Sequence, residues 1–221
     1  MKRSVGFLVL SLAMSLAQRQ IATIYDRVNS DESGAWSERD DYCPNFLNCD
    51  PNIGDDMISS SCIVGAWIFY SEYSYNYEGV GTVEWNSGDG KCWNLQFNNQ
   101  VSSMRYAGDT LNWKADTMNI YELELFSGLE FYAVQDVPQL PEQLTTVGSL
   151  IITGRSDWTI YTQPNFGGAK LCIGMQDGQF VGFGPHLSQF DVPTVGSFRL
   201  GCFAERKMLL DSGRHGVGVQ T

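Results

Sequence analysis

Two six-residue phrases in this chain carry nearly the same pattern of oxygens. Residues 55–60 read DDMISS, and residues 98–103 read NNQVSS, starting points 43 positions apart. Each phrase offers two short side chains bearing oxygen, two variable residues and two hydroxyls. A bend there presents a backbone carbonyl, and a hydroxyl follows from the start of the next strand. Hard cations are held by such sets: calcium takes six to eight oxygens at about 2.3–2.6 Å and tolerates irregular geometry. The structural alternative is that Asp-Asp and Asn-Asn form turns ahead of serines entering a strand. One copy fits either reading. Two copies at matching positions favour the cation.

The elements that must position these phrases repeat as well. YELELFSG (121–128) and YTQPNFGG (161–168) share the spacing Tyr-x4-Phe-x-Gly. YSEYSYNYEG (70–79) is a looser copy with two extra residues before its Tyr-x-Gly. The first copy follows IATIY at Tyr25, with Trp36 as a stand-in for the second aromatic after an insertion. Each copy reads as a strand ending in an aromatic, a fold-over, and a second aromatic packing back on the hairpin. A second strand-like phrase comes about 20 residues later: SSCIVG, SSMRYAG, GSLIITG and GSFRLGC. Its β-branched and aromatic residues favour a pleated, half-buried surface.

Four units follow, 21–65, 66–108, 119–154 and 157–203. A hairpin with a returning strand is a Greek key, and two of them make one β-sandwich. The expected organisation is a signal peptide at 1–17, domain 1 at 18–108, a linker at 109–118, domain 2 at 119–203 and a loose tail at 204–221, with helix only briefly near Glu205–Leu210.

The N-terminus reads as a secretory signal: Lys2 and Arg3, an apolar run from Val5 to Ala17, and small residues at Ser15 and Ala17. The run falls short of the roughly 20 apolar residues a membrane span needs. The formal charge is −11, and loss of Lys2 and Arg3 leaves 12 basic against 25 acidic residues, or −13. That sign repels phosphate backbones and argues against nucleic acid as a partner. Six cysteines in a secreted chain favour disulfides over zinc, since there is no CxxC pair and only two histidines.

Together, the four Greek keys, the aromatic hairpins and the two oxygen phrases resemble the βγ-crystallins over residues 21–203. In that family the pattern Asn/Asp-Asn/Asp-x-x-Ser/Thr-Ser is the calcium signature. The resemblance implies an all-β fold of two βγ-crystallin-like Greek-key sandwiches, with calcium in domain 1. Expected ligands are the side-chain oxygens of Asp56 and Asn99, the hydroxyls of Ser59 and Ser102, and the carbonyls of Met57 and Gln100, with Asp55 and Asn98 counted in the same metal sites. Each site is completed by a carbonyl from the partner unit's hairpin, Asp26 or Arg27 for one and Ser71 or Glu72 for the other. The phrase carrying Asp55 and Asp56, read with its own Ser59, is expected to bind more tightly than the uncharged one. The third and fourth units read LTTVGS (144–149) and VPTVGS (192–197), without the oxygen pair and with glycine for the first serine. They put calcium in domain 2 in doubt.

Cys172 and Cys202 are the only cysteines of domain 2 and are expected to pair. The four in domain 1 allow three connectivities, of which we favour Cys43–Cys49 with Cys62–Cys92. Catalysis finds little footing. His186 and His215 read as surface residues rather than triad members, and Glu72 with Glu78 as ordinary carboxylates rather than a glycosidase pair. The run WIFYSEYSYNY (67–77) alternates, so one set is expected to be buried and the other exposed. The expected function is a secreted, non-enzymatic calcium-binding protein, structural or stabilising in extracellular fluid or matrix. The alternative is a recognition module, such as a lectin-like, defence, inhibitor or toxin protein, that meets a protein or glycan through the aromatic hairpin.

Overall fold

The computed structural model describes residues 18–51, 53–211 and 216–221. The signal-peptide reading of 1–17 and His215 lie outside them. Two β-sandwiches follow one another along the chain. In the first, β1 (Ile21–Tyr25) pairs antiparallel with β2 (Trp36–Arg39) and with the start of β3 (Ser60–Tyr70). The same long strand β3 pairs at its far end with β5 (Ser103–Tyr106), and along its length with β4 (Gly81–Asn94). β3 therefore belongs to both Greek keys. It ends the first unit and begins the second without a break. At the seam Gly65 adopts φ +111°, and an added Cβ would meet Gln20 Oε1 at 1.9 Å, so only glycine fits there.

In the second sandwich, β6 (Thr117–Tyr121), β7 (Glu130–Ala133) and β8 (Ser149–Thr153) form a sheet completed by β11 (Val181–Gly184) of the fourth unit. The other sheet holds β9 (Trp158–Gln163), β10 (Gly167–Met175) and β12 (Ser197–Leu200). Val137 of the third unit bridges to Phe198 of that sheet. Each unit thus lends a segment to its partner's sheet, which interlocks the two and gives each sandwich one core.

Three apolar clusters hold the molecule. One fills domain 1 around Ile24, Ile58, Trp67, Phe69 and Met104. One fills domain 2 around Ile120, Leu150, Trp158, Ile160 and Phe198. The third joins them: Ile68, Tyr70, Val83 and Trp85 of domain 1 pack with Tyr121, Leu125, Phe126, Ile151 and Phe183 of domain 2. This third cluster changes the reading of the aromatic run. Trp67 and Phe69 enter the first core while Ile68 and Tyr70 enter the interdomain cluster, so both faces of the strand are buried. Tyr73 and Tyr77 remain exposed. Trp113, in the segment expected as a plain linker, is buried in the same cluster.

The loose-tail expectation is corrected. β13 (Lys207–Leu210) adds in parallel to β10, and β14 (Gly216–Gln220) returns to domain 1 as an antiparallel partner of β4. The helix expected near 205–210 is this strand, whose Met208 and Leu210 pack on the domain 2 core. All three expected disulfides are present: Cys43–Cys49, Cys62–Cys92 and Cys172–Cys202. Cys62 and Cys92 face each other directly across β3 and β4.

Candidate metal centre

A single hydrogen-bond scheme repeats in all four units. The second serine of each phrase clamps the folded hairpin at two points. Ser60 Oγ donates to Arg27 O (2.5 Å) and accepts from Ser30 N (2.9 Å). Ser103 bridges Glu72 O (2.6 Å) and Tyr75 N (3.1 Å), and Ser149 bridges Leu123 O (2.6 Å) and Phe126 N (2.8 Å). Ser197 bridges Gln163 O (2.7 Å) and Phe166 N (3.0 Å). The residue before each clamp bonds through its amide to the hairpin tyrosine: Ser59 to Tyr25 O, Ser102 to Tyr70 O, Gly148 to Tyr121 O and Gly196 to Tyr161 O.

These bonds set the register of the hairpins. Phe126 and Phe166 correspond to Tyr75 rather than Tyr77, so the second hairpin is Tyr-x4-Tyr with no insertion and only its glycine displaced. In the first hairpin the same place is taken by Ser30, not Trp36, which is exposed on β2. Each hairpin closes through left-handed non-glycine residues, among them Ser30, Tyr75, Phe126 and Phe166. Such angles are costly for bulky side chains and persist only when held from outside. The serine clamps supply that hold.

With the second serines committed to structure, the first serines face the phrases. The two loops cross: Asp56 N donates to Val101 O (3.2 Å) and Asn99 N to Ile58 O (3.0 Å). Asp56 and Asn99 both take φ near +55° (53° and 57°), an angle short Asp and Asn side chains tolerate. Each then points its side chain at the other phrase's serine. Ser59 Oγ lies 2.8 Å from Asp26 O and 2.9 Å from Asn99 Oδ1. Ser102 Oγ lies 3.4 Å from Asp56 Oδ1. Ser71 holds in the second hairpin the place Asp26 holds in the first, since Arg27 and Glu72 are both spent on clamps. The sequence reading joined Asp56 to Ser59. The structure instead places it with Ser102, and gives Ser59 the neutral Asn99.

These groups fit calcium. Oxygens bound to one ion at about 2.4 Å sit roughly 3 Å from one another, which is the spacing around Ser59. Two buried carboxylate oxygens have no hydrogen-bond partner, Asp55 Oδ1 in the first loop and Asp26 Oδ1, which lies against Gly34 of the first hairpin, and a buried acceptor left so is costly. The other oxygen of Asp55 accepts from the Tyr73 hydroxyl. Burial, and next the neighbouring Asp55 charge, push the Asp56 carboxyl above its ordinary value. The hydrogen bond to Asp55 pushes the Tyr73 hydroxyl up as well. Met57, Asn98 and Gln100 are exposed at the loop surface.

Domain 2 lacks more than the oxygen pair. A Cβ on Gly148 would lie 2.3 Å from Leu123 C and 2.4 Å from Glu124 N, and one on Gly196 would lie 2.7 Å from Gln163 C. The hairpin backbone occupies the space that a serine needs. Elsewhere among the described residues, Asp157, Cys172 and Cys202 form a tight grouping of potential ligand atoms, but the two sulfurs are bonded to each other and offer no thiolate. His186 Nδ1 meets Glu124 Oε2 at 2.8 Å on the surface.

Sequence reasoning did not single out the clamp serines, Tyr73, or the buried pair Arg105–Glu130 between the domains. The serines were visible as the one residue common to SS and GS in all four phrases.

No protein-family model matches the chain, and no curated protein matches it. Solved structures do. Geodin, a βγ-crystallin from Geodia cydonium, superposes with a TM-score of 0.62 at 16% identity, over 83% of this chain and 99% of that one. A βγ-crystallin from an archaeon aligns at 24% identity over 39% of this chain and 98% of its own, with a TM-score of 0.33. Protein S complexed with calcium aligns at 17% identity over 83% and 100%, with a TM-score of 0.31. The likeness to Geodin shows that the chain has the βγ-crystallin fold.

Proposed function

We propose that this βγ-crystallin-fold chain is a secreted, non-enzymatic calcium-binding protein that gains stability in extracellular fluid or matrix from ions held in domain 1. The carrying observation is the convergence of the Ser59 hydroxyl, Asp26 O and Asn99 Oδ1 within hydrogen-bond distance, mirrored by Ser102 and Asp56. Two half-sites share the crossed loops. The first is built from neutral oxygens with Asp26 beside it; the second carries the Asp55–Asp56 charge and the Ser71 carbonyl. Calcium, when bound, supplies a common centre for oxygens that otherwise meet only one another. The mostly neutral ligands suit the weak range of extracellular modules, about 10⁻⁴–10⁻³ M. The three disulfides support an oxidising compartment. No helix among the described residues is long and apolar enough to cross a membrane.

The recognition alternative keeps little of its aromatic surface, because Trp67, Phe69 and Tyr70 are buried. Calorimetric titration of the mature chain with calcium tests the proposal. Saturable binding, and a melting midpoint that falls on chelation, are expected. A flat titration would remove the function and leave the fold.

A further inference from the structure

The second hairpin, residues 71–76, touches the candidate calcium centre at one end and domain 2 at the other. At the near end Ser71 stands at the hairpin position equivalent to Asp26, one residue before Glu72, whose carbonyl Ser103 clamps, and the Tyr73 hydroxyl holds Asp55. At the far end Tyr75 O accepts the amide of Gly128 from the third unit (3.2 Å). The Tyr75 ring stacks on the Arg105 guanidinium, 4.6 Å from its centroid.

Arg105 is itself the hub of the domain junction. It is buried, and it donates to Tyr70 OH (3.0 Å), Phe126 O (2.5 Å) and Gly128 O (3.1 Å). Its counter-charge is Glu130, 3.8 Å away, which accepts from Tyr42 (2.8 Å) and Tyr121 (3.1 Å). Phe126 and Gly128 belong to the third hairpin, so two hairpins of equivalent fold dock on each other across the junction. Beside them Asn76 Nδ2 reaches Gln220 Oε1 of the C-terminal strand (3.5 Å), whose amide donates to Glu124 O (2.8 Å).

Only three residues lie between Ser71 and Tyr75, and the clamp by Ser103 fixes both Glu72 and Tyr75 through one oxygen. The segment cannot move at one end without moving at the other. We propose that calcium at the Ser102–Asp56 half-site tightens the docking of domain 2 onto domain 1, transmitted through hairpin 71–76 to Gly128 and Arg105. The proposal rests on the calcium reading above. Its two states are domain 2 docked and domain 2 loosened at the hairpin contact. Calcium favours the docked state because it binds the hairpin geometry that the docked contact needs. Such coupling is reciprocal, so loosening the junction weakens calcium binding by the same factor.

The test is amide hydrogen exchange on the full disulfide-bonded chain, in saturating calcium and in chelator, alongside calorimetry. The Gly128 amide should exchange at least about 5-fold more slowly with calcium, the lower end of typical coupling. The Val137 amide, bonded to Phe198 O within domain 2, should change little. Ser102→Ala should abolish the difference at Gly128; if that variant folds poorly, Asp56→Asn serves the same purpose. Calorimetric binding with unchanged Gly128 exchange overturns this inference and leaves the calcium reading intact. Equal slowing of Gly128 and Val137 also overturns it, since that is general stabilisation. No calorimetric binding overturns both.

Discussion

Ser59 Oγ stands 2.9 Å from Oδ1 of Asn99, a residue of the other phrase, while Asp56 turns its Oδ1 to Ser102. The two phrases therefore trade side chains, and the charge of the first is delivered to the serine of the second. This crossing decides which variants share a binding event.

Ser102→Ala and Asp56→Ala should weaken the same, tighter calcium event, and Ser59→Ala should weaken the other. Calorimetry on the three variants checks the pairing. Asn99→Asp should strengthen the weaker event, because it adds a carboxylate to a half-site whose cross-phrase side-chain oxygen is neutral.

Gly148→Ser should not create a calcium site in domain 2. Its Cβ falls on the backbone of Leu123 and Glu124, so the hairpin must shift. Loss of stability by roughly 1–3 kcal/mol is expected from overpacking, read by denaturant unfolding, with no gain of calcium binding in calorimetry.

Ser149→Ala and Ser197→Ala should each cost about 1–3 kcal/mol, since each leaves a hairpin amide and a carbonyl without their shared partner. Calcium affinity should be unchanged in both, because domain 2 clamps lie outside the proposed centre. Unfolding curves and calorimetry read the two effects separately.

Arg105→Met should destabilise by roughly 3–5 kcal/mol, because it strands the buried Glu130 carboxylate. Burial, partly offset by Arg105, already raises the Glu130 pKa. Adding Glu130→Gln to Arg105→Met should recover part of the loss, and denaturant unfolding of the single and double variants reads it.

Asp116 sets an acid limb on stability. Burial alone would raise its pKa, but hydrogen bonds from Ser156 N, Arg155 N and the Ser156 hydroxyl win and lower it. A carboxyl whose folded pKa is depressed contributes stability at pH above its unfolded value, and loses it as pH falls through the folded one. Asp116→Ala should therefore lower the melting midpoint at neutral pH and make little difference in strong acid. An equal loss at both would contradict the assignment.

The Greek keys were legible because each unit repeats the same tyrosine, fold-over and serine at similar spacing. The domain 2 disulfide was legible because that domain holds a single pair of cysteines, whereas the four in domain 1 left three connectivities open. What escaped had non-local causes. The second hairpin's register is hidden by its extra tyrosine, and only the Ser103–Tyr75 bond shows which one packs. The alternation of residues 67–70 predicts one exposed face, yet domain 2 covers it. The tail carries no repeat, and its strands form by adding to sheet edges already built. The crossing of Asp56 and Asn99 depends on two loops meeting across a pseudo-twofold, which spacing alone does not reveal.

The most direct measurement is a calorimetric double-mutant cycle on Asp56→Ala and Ser102→Ala, set beside the cycle on Asp56→Ala and Ser59→Ala. Two groups on one ion give effects that do not add, whereas groups on separate ions nearly add. Strong non-additivity is expected for Asp56 with Ser102, and near additivity for Asp56 with Ser59. The reverse pattern, or the absence of calcium heat in the unaltered chain, would contradict that pairing.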